Sequence, residues 1–275
     1  MRVFICADME GVSGIVKRRQ TDDLDTADYA RACELFSAEV RAAVDGARDA
    51  GAEEIVVADS HGPATNLDPR DFAEDVRLVQ GWPRPLNMME GIQHGPFEAA
   101  VLLGHHTAIT SREGNFPHTV SSGTYSAIRV GGVEVSEAQL NTWIAGHYGV
   151  PVVAATGDDA LVEHVREVVS GVETVATKRA CGMYAAEQMA PTRVLAEIRN
   201  CVRHAILTAA EREPISLSGS LELQLRCKDR FLAHVVSYLP GFELTDAHTL
   251  RTDCEDIVAA IRIVGAIPHL RAESF

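Results

Sequence analysis

Short apolar runs recur along this chain, each closed by polar or glycine residues. Longer stretches between them carry apolar positions every three to four residues. The runs at 2–7 (RVFICA), 54–58 (EIVVA), 99–103 (AAVLL) and 150–156 (VPVVAAT) have the length and bracketing of buried strands. Tyr29, Cys33, Phe36, Val40, Ala43, Val44 and Ala47 share one face at helical spacing, which predicts a long helix over 27–50 ended by Gly51. IRVGGVEV (128–135) predicts a hairpin turning at Gly131–Gly132. SEAQLNTWIAGHYG (136–149) predicts a helix opened by a capping box, Ser136 with Gln139 three residues on. GDDALVEHVREVV (157–169) predicts a further helix. This alternation predicts an α/β fold, a mostly parallel sheet flanked by helices.

The rhythm changes after about residue 190. A helix is expected from Pro191 through Ala209, with Val194, Leu195, Ile198, Val202 and Ile206 on one side. LELQLR (221–226) alternates as a half-exposed strand does, FLAHVVSYLPG (231–241) reads as another strand, and 252–266 as a last helix. The expected organisation is an α/β metal-binding catalytic domain over 1–190 and a second, smaller α+β domain over 191–275.

Composition narrows the class. Apolar residues make up 46% of the 275 and charged residues 23%, the balance of a globular protein with a substantial core. No apolar run approaches the length of a membrane span, and no leader precedes the first strand; the expectation is a cytoplasmic protein with no membrane partner. A net charge of −14 opposes general affinity for nucleic acid. Six scattered cysteines without a CxxC pair read as small buried residues rather than a disulfide framework. Cys181, before Gly182, has no marked partner that would make it a nucleophile.

The candidate chemistry lies where the strands end. The first strand runs into Asp8 and Glu10, the second into Asp59, Ser60 and His61, and the third into His105 and His106. In open α/β sheets ligands bind beyond the carboxyl ends of the strands. Residues i and i+2 of an extended segment share a face, so Asp8 and Glu10 can converge. Either could merely cap a turn, and either His105 or His106 could be a satisfied core histidine. Their coincidence at three strand ends favours a site. Carboxylates crowded together repel one another, and a divalent cation removes that penalty. Mixed nitrogen and oxygen donors suit zinc, manganese or iron(II). Glu137, in the first turn of the capped helix, is a candidate fifth ligand. Asp59 and Asp158 are read as caps and kept out of the metal set.

With these residues in hand, the chain resembles the D-aminopeptidase family of zinc peptidases, peptidase family M55. The resemblance runs in order through ADMEGVSG, VADSHG, LLGHHT, FPHTVSS, SEAQLNTWIAGHYGVPV and ATGDD, over most of the first 180 residues. It implies Asp8, Glu10, His61, His106 and Glu137 as metal ligands, two zinc ions per subunit with Asp8 bridging, and His118 of NFPHTV as the catalytic histidine. His105 takes the variable place before the ligand and is expected to be structural. The resemblance further implies hydrolysis of short peptides with an N-terminal D-amino acid, in a ring-shaped homo-oligomer, a decamer of two stacked pentamers. REGNFPHTVSSGTY departs somewhat from the family's wording, which bears on substrate choice more than on chemistry. Two rivals remain at this level: a metal-dependent amidase on a non-peptide substrate, and a silent metal-binding assembly subunit.

Overall fold

The apolar run at the start forms strand β1 (Arg2–Ala7), whose alternate side chains meet different layers. The computed structural model describes residues 1–270, so the last five residues of the unit expected over 191–275 lie outside the described residues. Around β1 lie β2 (Glu54–Asp59), β3 (Val76–Val79) and β4 (Ala99–His105). The hairpin forms β5 (Tyr125–Val130) and β6 (Val133–Glu134), followed by β7 (Val152–Asp158), β8 (Glu173–Gly182) and β9 (Ala185–Gln188). The C-terminal strands are β10 (Leu221–Cys227), β11 (Glu243–Leu244) and β12 (Thr249–Cys254). The helices are α1 (Ala27–Asp49), α2 (Glu137–His147), α3 (Asp159–Val168), α4 (Pro191–Leu207), α5 (Arg230–Val236) and α6 (Ile257–Ala266).

The larger sheet has the order β3-β2-β1-β4-β7-β8-β9, parallel except for the edge strand β9. Val3, Ile5 and Ala7 pack under α1 and α4, with Phe36, Val40, Ile198 and Val202. Phe4 and Cys6 face the other way, into a core shared with Leu140 and Ile144 of α2 and Ile257 and Ile261 of α6. The smaller sheet, β11-β12-β10-β5-β6, is antiparallel throughout. The α/β architecture expected from the strand–helix rhythm is thus present, with the smaller α+β part beside it.

Three expectations change. Residues 231–241 do not form a strand: the Asp229 carboxylate accepts the Phe231 N–H and starts α5, which buries Leu232, Ala233 and Val236. An apolar run this short fits two turns of helix as well as it fits a strand. Residues 252–254 belong to β12, and the last helix begins only at Ile257, where Asp256 caps it by accepting the Ala259 N–H. The two sheets also do not divide the chain at residue 190. β5 and β6 pair into the smaller sheet through β10, while α4 covers the larger sheet beside α1.

Candidate metal centre

β1, β2 and β4 are neighbours in register, so their carboxyl ends deliver side chains to one edge. The close approach depends on glycine. Gly104 has φ +68, and a Cβ there would lie 2.1 Å from the Asp8 carbonyl oxygen. Asp8 N–H donates to Leu103 O at 2.8 Å and Gly11 N–H to Gly104 O at 2.7 Å, which ties the Asp8–Glu10 turn to the end of β4. α2, capped by Ser136 accepting the Gln139 N–H, places Glu137 in its first turn facing the same edge.

The structure brings all six predicted side chains, Asp8, Glu10, His61, His106, His118 and Glu137, into one cluster. Asp8 and Glu137 are 3% and 4% exposed and His106 only 1%, so these charges are almost fully desolvated. His61 Nδ1 lies 2.9 Å from Glu10 Oε2 and 3.3 Å from Asp8 Oδ1. His106 Nε2 lies 3.4 Å from Asp8 Oδ2 and 3.5 Å from Glu137 Oε2. The two Asp8 oxygens therefore face different imidazoles, one toward Glu10 and His61, the other toward His106 and Glu137. His118 stacks on His106 with ring centroids 3.9 Å apart, its Nε2 3.7 Å from Glu137 Oε1.

Each imidazole is held through its outer nitrogen. His61 Nε2–H donates to Thr21 O, His106 Nδ1–H to Thr107 O and His118 Nδ1–H to Phe116 O, each at 2.9 Å. Such bonds fix the ring so that the other nitrogen offers its lone pair inward. His106 Nε2 is buried with no hydrogen-bond partner. A charge-assisted hydrogen bond there would be near 2.8 Å. Donors on one tetrahedral zinc, each about 2.0–2.1 Å from the ion, stand about 3.3 Å from one another. The 3.3–3.5 Å separations of His61 and His106 from Asp8 and of His106 from Glu137 fit donors around a shared cation, while His61 Nδ1 and Glu10 Oε2, at 2.9 Å, are within direct hydrogen-bonding distance.

Without a cation the charges distort one another. Burial, then Glu10, push the Asp8 carboxyl up to about 8. Burial also opposes ionisation of Glu137, but His106 outweighs it and holds the carboxylate down at about 2. Burial would lower His106, yet Glu137 and Asp8 raise it to about 10. His118 goes the other way, lowered by burial and then by His106. Three carboxylates facing three imidazoles form a set in which cations can replace protons.

The remaining residues at the edge have other tasks. His105 points away from the cluster; its Nε2 accepts from Asn141 Nδ2 at 3.1 Å, and burial lowers it to about 4, leaving it neutral. Asp59 organises the turn after β2 by accepting from the Asn66 and Leu67 N–H groups. Asp158 caps α3 and also accepts the Asn115 N–H, anchoring the loop that carries His118. Cys181 is exposed. Sequence reasoning missed Lys178, a fully buried lysine of β8. Its Nζ lies 2.5 Å from the carbonyl oxygens of Glu10 and Ile15 and 3.3 Å from that of Val12, closing the turn behind Asp8 and Glu10. The cluster opens into a cavity of about 1860 Å³ lined by Asp8, Glu10, His61, His118 and Glu137 among others.

An α/β sheet that gathers carboxylates and imidazoles at the carboxyl edge of its strands, under a cavity of this size, defines a metallohydrolase-type enzyme. Residues 1–266 match peptidase family M55, described as D-aminopeptidase. The chain belongs to this family and is by class a metallo-aminopeptidase. It is similar to a D-aminopeptidase of Bacillus subtilis (strain 168), 26% identical over 271 residues that cover 98% of this chain and 97% of that protein. Among solved structures it resembles the "Zn-dependent D-aminopeptidase DppA from Bacillus subtilis, a self-compartmentalizing protease", with a TM-score of 0.92 and 24% identity, covering 98% of this chain and 97% of the other.

Proposed function

We propose that this chain is a zinc-dependent aminopeptidase that removes an N-terminal D-residue from short peptides. The observation that carries the reading is the buried, unpartnered His106 Nε2 facing Asp8 and Glu137 at distances that suit a shared cation. Asp8 would bridge two ions, one held with Glu10 and His61, the other with His106 and Glu137. Zinc bound there supplies a polarising charge for the scissile carbonyl and makes a nucleophile available from water at neutral pH.

The chain's own groups do the rest. The acidic floor of the cavity attracts the free amine of the substrate and orients its first residue. His118, fixed by the Phe116 carbonyl and held neutral by its surroundings, presents an unprotonated Nε2 to the cavity. It can take a proton from the attacking water and return it to the leaving amine. Substrate is a small peptide, with neither nucleic acid nor membrane as partner. The described residues include no helix long and apolar enough to cross a membrane. The self-compartmentalizing description of the similar structure supports a homo-oligomer, which we place as a decameric ring.

The test is elemental analysis of the purified protein, with turnover of D-alanyl and L-alanyl dipeptides before and after chelation. Two zinc ions per chain and chelation-sensitive cleavage of the D-substrate are expected. A reproducible stoichiometry below one, or faster cleavage of the L-dipeptide, overturns the reading.

A further inference from the structure

The cavity is acidic at its floor, and its walls carry cations beside the carboxylates of Asp22, Glu113 and Asp159. Arg112, Lys228 and Arg262 line it, and among the described residues none of them makes an ion pair. Elsewhere on this acidic chain arginines such as Arg48, Arg199 and Arg251 are matched with carboxylates. These three therefore remain available to an anionic group in the cavity.

Lys228 is the one that the structure ties to the catalytic segment. It follows β10, and its N–H donates to Thr124 O at 2.8 Å. Its Nζ donates to Ser122 O at 2.7 Å. An ammonium has three N–H groups, so two remain for the cavity. Two residues before Ser122, the Val120 N–H donates to Glu137 Oε1 at 2.6 Å, and two residues before that stands His118. Five consecutive residues thus carry the imidazole, the anchor of Glu137 and the anchor of Lys228. Residues 120–122 span at most about 10 Å, and a dipeptide about 7 Å. The Ser121 N–H donates to Thr119 O at 2.7 Å, which tightens the stretch between His118 and Ser122.

Building on the aminopeptidase reading, we propose that Lys228 binds the C-terminal carboxylate of the substrate, so that the enzyme selects peptides of two or three residues with a free C terminus. A zwitterionic peptide then has one favourable orientation, its amine on the acidic floor and its carboxylate on the wall. The reverse orientation sets like charges together at both ends. A longer peptide cannot place both termini, and a neutral amide forfeits the wall contact.

The experiment compares kcat/KM for D-Ala-D-Ala and for its C-terminal amide in the wild-type protein, Lys228→Met and Lys228→Arg. A charge-assisted hydrogen bond is worth about tenfold or more. The wild-type preference for the free acid should fall by about that factor in Lys228→Met, mainly through KM, and be largely restored in Lys228→Arg. A preference that stays within about twofold in Lys228→Met, or that moves with Arg112→Ala or Arg262→Ala instead, overturns the assignment. If the wild-type protein turned over neither compound, the aminopeptidase reading would fall. Calorimetric binding of the same pair would still decide Lys228: discrimination lost in Lys228→Met supports it, and none in the wild-type protein overturns it.

Discussion

At the scale of single residues, the cluster separates groups that hold charge from groups that move it. Asp8 presents its two oxygens to different imidazoles, so Asp8→Ala should strip most of the zinc, read by elemental analysis. Retained metal in that variant would remove Asp8 as the bridge. His118 is 20% exposed, where the side chains of the ligands proposed here are 6% exposed or less. His118→Ala should keep its metal and its thermal midpoint while kcat drops about a hundredfold or more. Loss of metal together with activity would make His118 a ligand beside His106 and Glu137, an arrangement for which these three groups are close enough. Gly104→Ala tests the scaffold, because a Cβ would meet the Asp8 carbonyl at a backbone φ that side chains avoid. That variant should fold poorly or bind zinc weakly, measured by thermal melting and metal content. Asp8, Glu10, His61 and His106 are legible in the sequence because each follows an apolar run, whereas Glu137 rests on its capped helix and the family resemblance, and His118 on the resemblance alone. Lys178 is not legible, since a lysine inside TVATKRACG looks solvated until the fold shows Glu10, Val12 and Ile15 turning their carbonyls onto it.

At the scale of elements, the ligands are only as well placed as the caps and buried charges behind them. Lys178 and Glu39 grip the 10–15 turn from two sides, the lysine taking carbonyls and Glu39 Oε1 accepting the Ser13 N–H at 2.8 Å. Lys178→Met leaves those carbonyls without a donor and Glu39 without a nearby cation. It should cost about 2 kcal/mol or more in denaturant unfolding and weaken zinc retention against a chelator. An unchanged midpoint would mean that the turn needs no ammonium. The elements that the sequence predicted well are those with one period over many residues, such as α1, or with apolar runs buried on both faces, such as β1 and β4. α5 was misread because FLAHVVSYL satisfies both periods over so few residues. The deciding signal is the cap at Asp229, two residues before the apolar run.

At the scale of the whole molecule, a metal-free protein has to carry the cluster's protons. Folded pKa values of about 10 for His106, about 8 for Asp8 and about 7 for Glu39 all exceed ordinary values. Between about pH 6.5 and 8 these groups keep protons in the folded state that the unfolded chain has released, so the metal-free protein loses stability as pH rises. Lys178, lowered to about 8 chiefly by burial, pulls the other way from the top of that window upward, and His118, lowered by burial and by His106, does so at its lower end. Zinc would displace the protons of His106 and Asp8 and bind the folded state, so its stabilising effect should grow over the same range. Melting curves of chelated and zinc-loaded protein at pH 6.5 and 8 check this. Midpoints that shift in parallel would show that the cluster's protons are not linked to folding.

The interleaving of the two sheets has a consequence for how the chain is made. Every residue of the cluster precedes position 138, yet β5 finds its partner β10 only some ninety residues later. During synthesis that hairpin waits as an unpaired edge, and the apolar side of α2 waits for α6. A nascent chain stopped near residue 190 would carry every residue of the cluster and leave β5 and the apolar side of α2 without their partners. Clones truncated there should aggregate, and only the arrival of β10 and α6 closes the core on which the cluster rests.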